Sequence, residues 1–305
     1  MNAVEPSRLA LAPAETNDDL RAMIFVRKHV TPEARPTVEN LRHNLETTGN
    51  LRYLVARLDG EPVACAFVEP SPGDFAPADI AVIPAARRRG IGTCLLVDVS
   101  ARARALGKNA LQFEVRESDP ESRSFLERRG YEQVGAEKAV SLDLEGIRAL
   151  AVEPPPGVRI VSRAEEPDLL EGMYEVCVEA EADIPGHEGT RTFEEWRAHE
   201  IDKPSRRPEL SFAAVAGDEV VGYAGLQVFG DEAHHGLTAV KRAWRRRGVA
   251  TALKRAAIAV AKDAGIRALV TESEERNLPM QRLNEKLGFR PAPEWSTLVM
   301  RGPLV

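Results

Sequence analysis

An internal repeat constrains this chain more than anything else in it. Gly90 and Gly248 are 158 residues apart, and the same interval separates Gly107 from Gly265 and Gly130-Tyr131 from Gly288-Phe289. The stretch RRRGIGTCLLVDVSARARALGKNALQF matches RRRGVATALKRAAIAVAKDAGIRALV as one copy matches another. Solenoid repeats run to roughly 20–50 residues, so a period this long describes a duplicated domain. The 305 residues suit two such domains better than one large core. Between the copies stand Pro154, Pro155 and Pro156, which cannot donate to a helix or sheet ladder and favour a stiff extended connector. The expected division is an N-terminal domain at 1–148, a linker at 149–157 and a C-terminal domain at 158–305.

Each half gives the same coarse order. In the second, 158–161 reads as a strand, 168–181 as a helix and 192–200 as a helix opened by a Thr cap. The β-rich runs 210–216 and 220–228 flank the turn Gly217-Asp218-Glu219, a hairpin signal, and 234–240 continues as a strand. Apolar residues at helical spacing fill 248–264, with Gly265 as the C-terminal stop. A short strand at 267–271, a helix at 277–287 ending before Gly288, and final strands toward 298–301 complete the half. The first half follows, with a hairpin at Asp59-Gly60-Glu61 and a helix at 90–106. The plan β-α-α-β-β-β-α-β-α-β-β is α/β, an α+β arrangement on a mixed sheet.

The segments Arg87-x-x-Gly90-x-Gly92 and Arg245-x-x-Gly248-x-Ala250 each lie after a strand and open a helix. The first turn of a helix carries unpaired N–H groups and the positive end of the helix dipole, and a glycine or alanine there lets a phosphate approach the backbone. Arg88, Arg89, Arg246 and Arg247 add guanidinium groups able to make charge-assisted hydrogen bonds. An isolated RxxGxG reads as a glycine turn with solvated arginines; two copies in matching context read as an anion site. A Walker loop needs GxxxxGK[ST], and a dinucleotide fold needs GxGxxG with an acidic residue about twenty positions on; neither is present.

Composition narrows the partners. A net charge of −6 and a pI of 5.7 oppose non-specific binding to nucleic acid, and the arginine triplets lack interleaved aromatics. Cys65, Cys94 and Cys177 are odd in number and without CxxC spacing, so they read as small buried side chains, with no disulfide framework and no metal site. No window holds the roughly 18 apolar residues of a membrane span, and MNAVEPSRLALAPAE lacks a secretory pattern, so a cytoplasmic protein is expected.

The pattern [QR]xxGx[GA] after a strand, with Gly-Phe or Gly-Tyr some forty residues downstream, resembles the GNAT superfamily of acyl-CoA-dependent N-acyltransferases, twice over and across nearly the whole chain. The resemblance implies a strand that splays from its neighbour and pairs with the pantetheine arm, and a loop whose amides hold the diphosphate of acetyl-CoA or another acyl-CoA. Those positions are Thr238, Ala239, Val240 and the loop Arg245, Arg246, Arg247, Gly248, Val249, Ala250, Thr251. In the first half they are Ile80, Ala81, Val82 and Arg87, Arg88, Arg89, Gly90, Ile91, Gly92, Thr93. It also implies an asparagine opening the next helix, met by Asn277 but replaced by Asp119 in the first half. The proton-donating tyrosine usual four residues before the Gly-Phe glycine is Asn284 in one half and Leu126 in the other, and neither is an acid.

An amine nucleophile must lose a proton before attacking a thioester, so a general base is needed. Fourteen residues before the loop glycine, where the histone-acetylating branch of the superfamily carries a glutamate, stands His234, against Ala76 in the first half. Histidine suits the role, with Glu272 as the second candidate and an exposed or strand-end side chain as the plain alternative for each. The acidic run from Glu179 through Asp183 and His187 to Glu188 reads either as an attraction for a cationic amine or as a solvated loop. The expected function is acyl transfer from acetyl-CoA to a primary amine of a small molecule or peptide. The C-terminal half is the catalytic one, and the N-terminal half a degenerate scaffold that still has a cofactor loop. The alternative is a CoA-binding sensor or assembly module without turnover. A monomer or homodimer fits either.

Overall fold

The computed structural model describes residues 9–147, 151–184 and 188–305. The leader expectation for residues 1–8, the expected boundary at 148–150 and His187 lie outside the described residues. In the first half the chain forms β1 (Leu9–Pro13), α1 (Asn17–Val30), α2 (Val38–Thr47), β2 (Arg52–Leu58), β3 (Glu61–Val68), β4 (Phe75–Val82), α3 (Ile91–Ala105), β5 (Ala110–Arg116), α4 (Pro120–Glu127) and β6 (Glu132–Asp143). In the second half it forms β7 (Val158–Ser162), α5 (Leu170–Glu181), α6 (Phe193–Glu200), β8 (Arg206–Ala216), β9 (Glu219–Phe229), β10 (Glu232–Val240), α7 (Val249–Asp263), β11 (Ala268–Glu274), α8 (Leu278–Lys286), β12 (Arg290–Pro291) and β13 (Thr297–Pro303).

Local chemistry places these elements. Thr16 and Thr192 build capping boxes with Asp19 and Glu195, satisfying orphan N–H groups at the starts of α1 and α6. Asp59 (φ 53°) and Gly60 (φ 89°) take the two left-handed positions of a tight hairpin between β2 and β3. The expected strands and helices of the second half are all found, with shifts at their ends. The largest is β8, which opens four residues early at Arg206; β11 runs on to Glu274 because β6 pairs with it from Ala268 to Glu274. The first half closes on one twelve-residue strand, β6, rather than on two. Cys65 and Cys177 are buried as expected, whereas Cys94 is exposed.

The chain divides into two compact units. Of the described residues, unit 1 holds those within 9–115, 121–133 and 299–305, and unit 2 those within 116–120 and 134–298. Within unit 1 the strand order is β1-β2-β3-β4-β5-β13, and within unit 2 it is β7-β8-β9-β10-β11-β6, with β12 also on β6. Both sheets are mixed, since β4 with β5 and β10 with β11 are the parallel pairs. These units are not the sequence halves 1–148 and 158–305. The last strand of each repeat completes the sheet of the other unit, and the sequence period cannot reveal this because the two strands are equivalent members of the repeat.

In unit 2, alternate residues of β8 serve opposite faces. Leu210, Phe212 and Ala214 pack with Val249, Leu253, Ala256 and Ala257 of α7, whereas Ala213 and Val215 pack with Met173, Val176, Cys177 and Trp196 of α5 and α6. The site described next opens on the second of these faces.

Candidate active site

Two departures from regular pairing shape β10. Its register against β9 shifts between His235 and Thr238, a bulge, and it pairs with β11 only from Glu232↔Ala268 to His234↔Val270. One side-chain bond, from Thr271 Oγ1 to the His235 carbonyl at 2.8 Å, holds the strands where the ladder ends. Beyond it the β11-facing edge of Thr238, Ala239 and Val240 has no strand partner among the described residues. In unit 1, β4 and β5 likewise pair only from Phe75↔Ala110 to Pro77↔Gln112, but β3 and β4 keep unbroken register. Bulges re-aim side chains beside functional sites, and only the second repeat has one here.

After each parted strand the chain makes the same turn. Arg88 and Arg246 have φ of 63° and 60°, and Gly90 and Gly248 have φ of 84° and 93° as N-caps of α3 and α7. Alternating left-handed residues aim successive N–H groups inward, which makes an anion-binding concavity. No side chain caps either helix, whereas Thr16, Thr37 and Thr192 cap α1, α2 and α6. A Cβ on Gly90 or on Gly248 would meet nothing within 4 Å among the described residues, so the space before the first amides of α3 and of α7 is open. Ile91 and Val249 are buried in the core and offer only their backbone. Arg246 and Arg247 are exposed, the latter 5.0 Å over the Trp244 ring.

The first arginine of each loop is already in use. Arg245 donates through Nε to the Val240 carbonyl at 3.0 Å and pairs with Asp183 at 2.6 Å; Arg87 donates to the Val82 carbonyl at 3.2 Å and pairs with Glu121 at 3.0 Å. These side chains fasten the loop to the strand. Arg242 also pairs with Asp183, at 2.7 Å, and hydrogen bonds from Arg242 and then Arg245 hold the Asp183 carboxyl down at about 2. That part of the acidic run therefore anchors the loop through charges already matched.

The two loops are finished differently. In unit 1, α4 lies on the loop: the Phe125 ring is 3.5 Å from where a Gly92 Cβ would be, and the Arg129 guanidinium stacks on that ring at 3.8 Å. Arg129 then donates to Thr93 Oγ1 at 2.9 Å. At the 158-residue interval, Glu121, Phe125 and Arg129 become Pro279, Leu283 and Leu287, none of which has a side-chain donor or charge. The two loops therefore differ in the helix that packs beside them, with an aromatic ring and a guanidinium against the first and aliphatic side chains at the equivalent positions of the second.

The adjacent histidines point to opposite faces. His235 is buried, with Nε2 2.9 Å from Thr238 Oγ1, and burial holds it well below its usual pKa and so neutral. His234 is about a third exposed, and its Nε2 lies 3.6 Å from Glu272 Oε2. The two base candidates thus form one pair. The extension of β11 makes this possible, because it places Glu272 inside the strand on the His234 face. Asn277 caps α8, its Oδ1 accepting from Met280 N at 3.3 Å. Asn284 is buried, and neither atom of its amide has a partner.

Sequence reasoning passed over Lys254. It is 1% exposed, with Nζ 5.5 Å from the centre of the Phe289 ring, and burial pulls its pKa down to about 7. Its signal was a lysine within the apolar stripe of α7. Among the described residues no cluster of His, Cys, Asp or Glu could hold a metal ion, and no helix is long and apolar enough to cross a membrane.

Comparison with known proteins agrees with this geometry. The Acetyltransferase (GNAT) family matches twice, over residues 18–131 and 171–289. The chain belongs to the GNAT acetyltransferase family. This GNAT acetyltransferase is 28% identical over 292 residues to the mycothiol acetyltransferase of Thermobifida fusca (strain YX), covering 87% of each chain. Its fold is similar to that of a GCN5-related N-acetyltransferase from Sphaerobacter thermophilus, with a TM-score of 0.75 at 22% identity over 98% of this chain and 96% of that one. It is equally similar to a tandem GNAT protein from the clavulanic acid biosynthesis pathway, with a TM-score of 0.75 at 23% identity over 97% and 99%. The tandem, mixed-sheet reading of the fold therefore stands, and the protein is an acetyltransferase by family.

Proposed function

We propose that the second repeat transfers an acetyl group from acetyl-CoA to the primary amine of a small molecule or peptide. The observation that carries this reading is the His234–Glu272 pair, which opens beside the parted β10 and β11 and has Ala76 in place of the histidine in the first repeat. The open α7 terminus, the left-handed Arg246 and Gly248, and the unpaired edge of Thr238 to Val240 suit a diphosphate on an extended amide-bearing arm. Gly248 to Thr251 would hold the diphosphate through backbone N–H groups, with Arg246 and Arg247 adding charge and Asn277 a polar contact. Bound acetyl-CoA supplies the thioester carbonyl that the amine attacks.

His234 accepts the proton that the substrate ammonium must lose, and Glu272 steadies the resulting imidazolium. A strand amide between Thr238 and Val240 is placed to donate to the developing oxyanion. Asn284 has no proton to give. A thiolate, with a parent pKa of roughly 8.5, leaves without much help. The first repeat would act as a scaffold, with Phe125 and Arg129 packed beside its loop and Ala76 where the second repeat has His234.

Purified protein incubated with acetyl-CoA and an amine library is expected to release free thiol, and Gly248→Glu is expected to stop it. Release unaffected by Gly248→Glu counts against the assignment to the second repeat. The absence of an acid at both Asn284 and Leu126 favours a second reading, a CoA-binding sensor; tight calorimetric binding with no thiol release across the library would select it.

A further inference from the structure

On the face covered by α5 and α6, unit 2 concentrates hydrogen-bond donors that have no acceptor among the described residues. Arg206 opens β8 with its side chain 4% exposed. Its Nη2 donates to Glu200 Oε2 at 2.6 Å, but its Nε and Nη1 are buried and unpartnered. The hydroxyl of Tyr223, a wholly buried residue of β9, has no partner either, and burial pushes that phenol far above its usual pKa, so it remains an O–H donor. The buried Arg163 Nε and Ser211 Oγ are unpartnered as well.

These atoms share one place. Ser211 stands opposite Gly225 in the β8–β9 register, and the Arg163 amide donates to the Ser211 carbonyl at 2.8 Å. A Cβ on Gly225 would stand 2.6 Å from the Tyr223 hydroxyl and 3.3 Å from Arg206 Nη1. A Cβ on Gly236 would stand 3.4 Å from Arg206 Nη2. Arg206 and Tyr223 thus lean over two strand positions that have no side chains.

Glu200 is matched by one edge of Arg206, and Glu209 is taken by Arg207 at 2.7 Å. Arg163 also lies in the field of Glu209, so charge is close to balanced, but three guanidinium nitrogens and two hydroxyls of the cluster still lack acceptors among the described residues. Buried donors without acceptors are costly, so a set of them converging on one spot asks for an oxygen-rich anion. Gly236 enters the bulge two residues beyond His234 on β10, about 7 Å along the chain. An anion here therefore sits one short spacer away from the proposed base.

We propose that Arg206 and Tyr223, with Arg163 and Ser211, form a carboxylate subsite, and that the acceptor is an amino acid or short amino-acid derivative whose carboxylate is seated there while its amine faces His234. This inference rests on the second repeat being the transferase.

Calorimetry on the full chain with coenzyme A present, using each of the common L-amino acids against its carboxamide, tests the subsite apart from the chemistry. At least one free acid is expected to bind about tenfold tighter than its amide, one charge-assisted hydrogen bond's worth of discrimination. Tyr223→Phe and Ser211→Ala, which remove oxygens that no neighbour uses and so preserve the fold, are expected to cut that preference severalfold. Equal binding of acids and amides, or an acid preference untouched by both variants, overturns the subsite. Acid preference without thiol release from acetyl-CoA supports the subsite and overturns the transferase reading. Acetylation of amines without any acid preference does the reverse.

Discussion

The Phe125–Arg129 stack beside the loop of unit 1 sets up a quantitative test of cofactor stoichiometry. We expect that seating a diphosphate on the α3 amides requires Phe125 to part from Gly92 and Arg129 from Thr93. The stacking of Arg129 on Phe125 is worth about 1 kcal/mol, and the Arg129–Thr93 hydrogen bond about another. The Arg87–Glu121 pair adds at most about 1 kcal/mol, because Glu121 is 72% exposed and screened by solvent. A displacement cost of about 2–3 kcal/mol weakens binding by roughly 30–150-fold relative to the loop of unit 2. Calorimetric titration with acetyl-CoA should therefore show one tight site per chain. Gly248→Glu should leave only a weak one. Adding Glu121→Ala, Phe125→Leu and Arg129→Leu to that variant gives α4 the plain side chains found at Leu283 and Leu287 and should recover affinity by the factor calculated. Two equally tight sites in the unaltered chain, or no gain from the triple replacement, would refute the argument.

Other outcomes follow from the same geometry. Removing the proposed base by His234→Ala should lower kcat/KM for the amine by roughly 10²–10⁴-fold, and Glu272→Gln should lower kcat about tenfold with donor affinity unchanged, as steady-state kinetics will show. Gly248→Glu puts a charged side chain at φ 93° before the α7 amides and should cost at least about a hundredfold in donor affinity, with the left-handed strain of about 1–2 kcal/mol lowering the melting temperature by a few degrees. Lys254 titrates near 7 when folded but near 10.4 when unfolded, so its burial penalty is fully present below pH 7 and is relieved as pH rises toward 10. Thermal stability should therefore increase between pH 7 and 9, by about 1 kcal/mol per unit, and Lys254→Met should flatten that rise.

Much of the site was legible because its parts are local. Thr caps, the Gly248 turn and the α7 stripe are each written within a few residues, and the 158-residue interval aligned one copy against the other. His234 and Glu272 were legible singly but not as a pair, since their meeting depends on β6 holding β11 in strand form as far as Glu274. Arg206 and Tyr223 were missed because a basic residue opening a strand and a tyrosine inside one look ordinary until Gly225 and Gly236 bring them together. The difference between the helices beside the two loops is written in the repeat itself, as Glu121, Phe125 and Arg129 against Pro279, Leu283 and Leu287. What those side chains touch depends on how α4 and α8 pack, which the repeat interval does not carry.

Residues 299–305 belong to unit 1, where Arg301 bonds Gln112 at 2.8 Å and stacks on Phe75 at 4.0 Å, and where the Tyr131 hydroxyl donates to the Pro303 carbonyl at 3.0 Å. Biosynthesis thus meets an ordering constraint. The first sheet emerges from the ribosome early but keeps a bare margin along β5 until Val299 and its successors arrive, while β6 waits to be enrolled by a strand not yet translated. Severing the chain at the proline connector would leave each fragment holding the other's final strand, so the duplicated gene encodes two lobes that neither synthesis nor evolution can readily take apart.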